Sequence, residues 1–101
     1  MATVTSKVLA RAAAATSNAT LYTVPASTTA VVTNIVVTNS AASAATFTIT
    51  LDAVDLFKDA AIAANSTAMF DLKQVLTTTK IVAGLASAIT VKFHISGVEI
   101  V

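Results

Sequence analysis

Strict alternation of apolar and polar residues leaves this chain little to build except sheets. Thr46-Phe47-Thr48-Ile49-Thr50-Leu51-Asp52 puts Phe47, Ile49 and Leu51 on one side of an extended backbone and the threonines and Asp52 on the other. A helix, with its period of about 3.6 residues, scatters the same three side chains around its circumference. Ile89-Thr90-Val91-Lys92-Phe93-His94-Ile95-Ser96 repeats the pattern, with Ile89, Val91, Phe93 and Ile95 as the inner set. Gly97 then breaks it, and Val98 and Ile100 take up the opposite parity. A glycine at such a phase change predicts a β-bulge.

The other strands follow from β-branched runs and turn residues. Ala30 to Thr38 is apolar on both parities, which predicts a strand covered on both faces or one whose outer face meets a neighbour. Thr20 to Val24 reads as a strand stopped by Pro25, and Ser40 to Ala44 as a small-residue loop. Shorter strands are expected at Leu56–Lys58, Thr67–Leu72, Gln74–Leu76 and Lys80–Ala83, with a turn at Asn65-Ser66. Lys7 to Thr16 has helix-forming residues, four consecutive alanines among them, but too small an apolar face to anchor a helix. A first strand through Leu9 and a loose Ala-rich link are expected instead. The predicted fold is all-β: one antiparallel β-sandwich, jelly-roll-like or Ig-like, of roughly seven to nine short strands. Residues 1–19 form an N-terminal strand or arm with its link, and residues 20–101 form the sandwich, one domain in all.

Composition bears on what such a sandwich does. Hydrophobic residues make up 55% of the 101 positions and charged residues 11%, with a net charge of +1. Soluble domains average about 25% charged residues, so this surface has little charge to keep copies apart. Seventeen threonines offer polar tips on β-branched stems, a soluble outer face made without charge. The composition points to a chain that hides surface in an assembly. The six basic residues are scattered, against nucleic-acid binding and against an anionic membrane surface. No apolar run reaches the length of a membrane span or a signal-peptide core, so synthesis in a cytoplasm is expected.

Chemistry-bearing residues are sparse. The absence of cysteine excludes disulfides, thiolate metal sites and cysteine nucleophiles. His94 is the single histidine, placed two residues from Ser96 on the polar side of its strand, but with no nucleophile elbow. Asp52 and Asp55 lack the spacing and the glycine of a calcium loop. Two isolated glycines cannot build a phosphate cradle. Four of the five aromatics are phenylalanines at strand positions, which reads as core rather than as a base-stacking platform. No catalytic residue, cofactor site or metal site is expected, and an enzyme is the remote alternative.

The run Thr20-Leu21-Tyr22-Thr23-Val24-Pro25-Ala26-Ser27-Thr28-Thr29-Ala30-Val31-Val32, then Ile35-Val36-Val37-Thr38-Asn39, resembles small bacteriophage virion proteins. The closing Ile95-Ser96-Gly97-Val98-Glu99-Ile100 is similar to their usual ending. The resemblance covers roughly residues 20–101; residues before Thr20 match less well. It implies a β-sandwich, often in symmetric oligomers, with a structural role as capsid decoration or in tail, baseplate or fibre. The expected function is that of a decoration or cement protein on the exterior of a phage head, a homotrimer bound to the major capsid protein. A tail, baseplate or fibre component bound to a tail protein, which could recognise a host surface, is the alternative. Lys7, Leu9 and Arg11 are the expected capsid contacts, and Val32 and Val36 the expected contacts between copies.

Overall fold

A computed structural model describes residues 3–101. Among them the chain forms eight strands: β1 (Val4–Ala13), β2 (Ala19–Thr23), β3 (Thr29–Asn39), β4 (Ala45–Leu51), β5 (Val54–Ile62), β6 (Ser66–Leu76), β7 (Ile81–Ala86) and β8 (Val91–Ile100). They make two four-stranded sheets, ordered β1-β8-β3-β6 and β2-β7-β4-β5, with every pairing antiparallel. β1 pairs with β8, β2 with β7, β3 with β6 and β4 with β5. The chain is thus one long hairpin, folded at the β4–β5 turn and rolled so that its arms alternate between two layers. That is the jelly roll, one of the two sandwich types the alternation predicted.

The core lies between the layers. Phe47, Phe93, Ile35, Ile49, Ile95, Val24, Val32, Val37, Val82 and Val91 are all essentially inaccessible to solvent. Burying each such side chain stabilises the fold by about 1.5–3 kcal/mol. Phe47 on β4 meets Phe93 on β8 edge-on, with ring centroids 6.2 Å apart, and so ties one sheet to the other. Thr28, Asn39 and Thr48 are buried polar residues, Asn39 the most deeply of the three. Its side-chain amide donates to the carbonyls of Ser43 and Ala63, while its oxygen accepts from the Ala41 amide and the Thr90 hydroxyl. One side chain thereby binds three connections at one end of the sandwich.

Several expectations change. The Ala-rich stretch continues β1 to Ala13 instead of leaving the sheet at Leu9, because Ala12 and Ala13 pair with Phe93 and Lys92. Tertiary pairing here overrides the helical preference of alanine. Ile89 is exposed in the turn before β8, which starts at Val91. The alternation of β8 runs on through Gly97, with Glu99 inward and Val98 and Ile100 outward, so β8 has no bulge there. The bulges fall on its two neighbours, at Leu9 of β1 and Thr33 of β3. Beside the β3 bulge the backbone lies so close that a Cβ on Gly97 would lie 2.1 Å from the Val31 carbonyl oxygen. Gly97 is present because of this close approach, not because it bulges itself.

Candidate contact surfaces

Strand register fixes what each outer face presents, because residues of one parity on paired strands form rows. Across β1, β8, β3 and β6 one outward row reads Ser6, Val98, Val31, Val75 and another reads Arg11, His94, Val36, Met69. Val4 and Ile100 lie beyond the first row; Val8, Ser96, Asn34 and Asp71 lie between the two. Met69 is 71% exposed, and Val4 and Val75 are each 64% exposed. All eight strands belong to the two sheets, so no further layer of the described chain covers these side chains. Two aliphatic clusters, one around Val31, Val75 and Val98 and one at Val36 and Met69, are open to solvent on either side of the polar row Ser96, Asn34 and Asp71.

The opposite face has different chemistry. Across β2, β7 and β4 the outward positions include Thr20, Thr23, Thr46 and Thr50, with Leu85 near them, while Thr48 and Ala83 of the same parity are buried. At one end the face opens into a cleft of about 300 Å3 lined by Asn18, Thr20, Thr50, Asp52, Ala53, Thr79, Lys80, Ile81 and Ala83. Lys80 Nζ stands 3.6 Å from Asp52 Oδ1 across it. Among the described residues six non-glycine positions have positive φ, and three of them line this cleft: Asp52 (53°), Ala53 (61°) and Thr79 (71°). Asp52 and Ala53 are the central residues of the β4–β5 turn, where positive φ at both positions matches the twist of a hairpin. Thr79, being β-branched, is the more strained.

The predicted contact residues separate. Leu9, expected on an exposed arm, is 7% exposed and belongs to the core, because it continues the inward parity of Thr5 and Lys7; the bulge beside it then moves the inward set to Ala10 and Ala12. Lys7 is exposed but engaged: its ammonium lies 3.2 Å from Glu99 Oε1, and the same carboxylate accepts the Tyr22 hydroxyl. Arg11 faces outward beside His94. Val32 is fully buried, with no surface to offer a second copy. The β3 bulge at Thr33 is the reason: inward positions are Ala30 and Val32 before it, and Ile35 and Val37 after it. Val36 does lie on the outer face, next to Met69. Sequence reasoning missed Val4, Val31, Met69, Val75 and Val98. The alternation of Thr67-Ala68-Met69-Phe70-Asp71-Leu72 was a signal for Met69.

His94 shares the outer face with Ser96, whose carbonyl accepts the Thr33 hydroxyl. Among the described residues no three His, Cys, Asp or Glu side chains converge as metal ligands would.

No family model matches this sequence, and no curated protein matches it. Solved structures do. A chain of the T13 infectious bursal disease virus particle superposes with a TM-score of 0.56 at 10% identity, over 98% of this chain and 30% of its own length. A chain of the infectious bursal disease virus Gx strain gives 0.57 at 14% identity, over 98% of this chain and 32% of its own. The chain thus spans about a third of these relatives' length, and the likeness is one of fold. A pentameric capsid protein isolated from metagenomic phage sequences aligns over 97% of this chain and 59% of its own at 13% identity, but with a TM-score of 0.38.

Proposed function

We propose that this chain is a non-enzymatic structural protein of a bacteriophage virion, a decoration protein that binds the outer face of the head and stabilises it. The observation that carries the reading is the pair of open aliphatic clusters on the β1-β8-β3-β6 sheet of a chain with 11% charged residues. Strand spacing and rise give the whole outer face of this sheet, polar row included, about 650 Å2, close to the ~800 Å2 per partner of a specific interface. Aliphatic clusters rimmed by polar residues mark interaction sites. The phrase from Thr20 to Asn39 supports a phage origin, and the jelly-roll fold suits packing in high copy number. Binding only the assembled shell would stabilise it by mass action.

A tail, baseplate or fibre component is the second reading. The threonine-lined cleft favours it, since clustered hydroxyl, amide and carboxylate groups suit a polar ligand on a host surface.

Cryo-electron microscopy of the parent particle tests both. Copies on the head in lattice-symmetric clusters, with the Val31–Met69 face against the shell, are the expected result. A few copies at the tail or neck would overturn the decoration reading in favour of the second. A further check is Val31→Lys with Val98→Lys, which should abolish binding to undecorated heads while leaving the far-ultraviolet circular dichroism unchanged.

A further inference from the structure

β6 is an eleven-residue sheet edge, and its backbone groups on the side away from β3 have no partner strand. The other edges are guarded. β1 has a bulge and carries Lys7 and Arg11, β2 has only five residues, and β5 is interrupted by register shifts. β6 has one register shift too, where Leu72 and Lys73 stand opposite Thr33, but its inward and outward positions alternate without a break from Ser66 to Lys73. A long edge with unbroken side-chain alternation is a template for another strand.

The outward side chains say which strand fits. Met69, Asp71, Lys73 and Val75 read apolar, negative, positive, apolar, a pattern that is complementary to its own reverse about Leu72. We propose that two copies of this chain join edge to edge through β6, antiparallel about a two-fold axis at Leu72, as one eight-stranded sheet. In that register Asp71 lies opposite Lys73 of the second copy, twice over. Met69 lies opposite Val75 of the second copy, also twice. On the inner side Leu72 meets Leu72, and Phe70 meets Gln74.

The neighbouring registers are excluded by charge. Antiparallel strands exchange hydrogen bonds only between residues of matching orientation, so a two-fold axis must sit on a residue. Moved to Asp71 it sets two carboxylates face to face, and moved to Lys73 it sets two ammonium groups face to face. Asp71 accepts a hydrogen bond from the Asn34 amide 3.1 Å away, which holds it on the outer face and leaves further lone pairs for a lysine. Lys73 takes part in none of the ion pairs among the described residues. Val31 pairs with Val75 and Val36 with Met69, so the dimer joins the aliphatic rows of both copies across the axis. This contact is isologous and closes on two copies, whereas the trimer expected from the sequence needs a heterologous one.

The test uses the isolated full chain, so its outcome is independent of binding to a phage head. Sedimentation velocity from micromolar to sub-millimolar concentration should give twice the 10.2 kDa chain mass. Asp71→Lys and Lys73→Asp should each raise the dimer dissociation constant by roughly tenfold or more, with unchanged far-ultraviolet circular dichroism. The double reversal should restore the wild-type constant, and mixing the two single variants should give a heterodimer. A monomeric or trimeric wild type, or a double variant as weak as the singles, overturns the proposal.

Discussion

The Tyr22 hydroxyl of β2 donates to the Glu99 carboxylate of β8, one hydrogen bond across the two layers of the sandwich. Lys7 of β1 completes the group with its ammonium 3.2 and 3.3 Å from the two carboxylate oxygens. Three strands and both sheets meet in these side chains.

The group makes stability depend on pH at both extremes. The Tyr22 hydrogen bond, and after it Lys7, hold the Glu99 carboxyl below its ordinary value of 4.5. A lowered carboxyl contributes stability that is present above pH 4.5 and lost as pH falls through the folded value. Burial first, and then Glu99, push the Tyr22 phenol well above its ordinary value of 10.0. That contribution is complete below pH 10.0 and lost as pH rises toward the raised value. Thermal midpoints across pH should therefore fall at both ends for the wild type. Glu99→Gln should lower the midpoint at neutral pH and flatten the acid limb, and Tyr22→Phe should flatten the alkaline limb. An acid limb unchanged in Glu99→Gln would refute this assignment.

Gly97 and Gly84 are expected to respond differently to alanine. A Cβ at Gly97 meets the Val31 carbonyl oxygen at 2.1 Å and Leu9 Cδ1 at 3.0 Å, so backbone must move. A Cβ at Gly84 meets its nearest atom, the Thr48 carbonyl oxygen, at 3.1 Å. Gly97→Ala should cost about 3 kcal/mol or more and Gly84→Ala about 1 kcal/mol. Urea unfolding at constant m-value measures both. Equal costs would contradict the close approach between β8 and β3.

Asn39→Leu tests the buried amide. The substitution leaves the Ser43 and Ala63 carbonyls and the Ala41 amide without their side-chain partner. The expected loss is about 2–3 kcal/mol. Hydrogen exchange should speed up at Ala41 and in the 63–65 connection while the β4 amides stay protected. A uniform change across the molecule would show that Asn39 does not act locally.

Much of the fold was legible because alternation survives into the structure. Phe47, Ile49 and Leu51, and then Val91, Phe93 and Ile95, are inward as read. Irregular pairing was not legible. The bulges at Leu9 and Thr33 arise from how β1 and β3 fit β8, and no local residue pattern announces them. The bulge at Thr33 puts Val32 and Val36 on opposite faces, whereas Leu9 is core because it shares the inward parity of Thr5 and Lys7. The aliphatic clusters were hidden for a related reason. Val31, Val75, Val98 and Met69 come from three strands distant in sequence, and only the register puts them side by side.

Backbone strain around the cleft gives the last prediction. Ala53 and Thr79 hold φ values of 61° and 71°, where a side chain crowds its own backbone at a cost of about 1–2 kcal/mol. Glycine removes that crowding but adds freedom to the unfolded chain worth about 0.4–1 kcal/mol. Thr79→Gly should therefore stabilise by about 1 kcal/mol and Ala53→Gly by about 0.5 kcal/mol. The order follows from β-branching at Thr79, which tightens the clash. The urea midpoint should rise in both variants with an unchanged m-value. A fall in the midpoint of Thr79→Gly would mean that contacts of the threonine side chain outweigh its strain, giving this position a packing role.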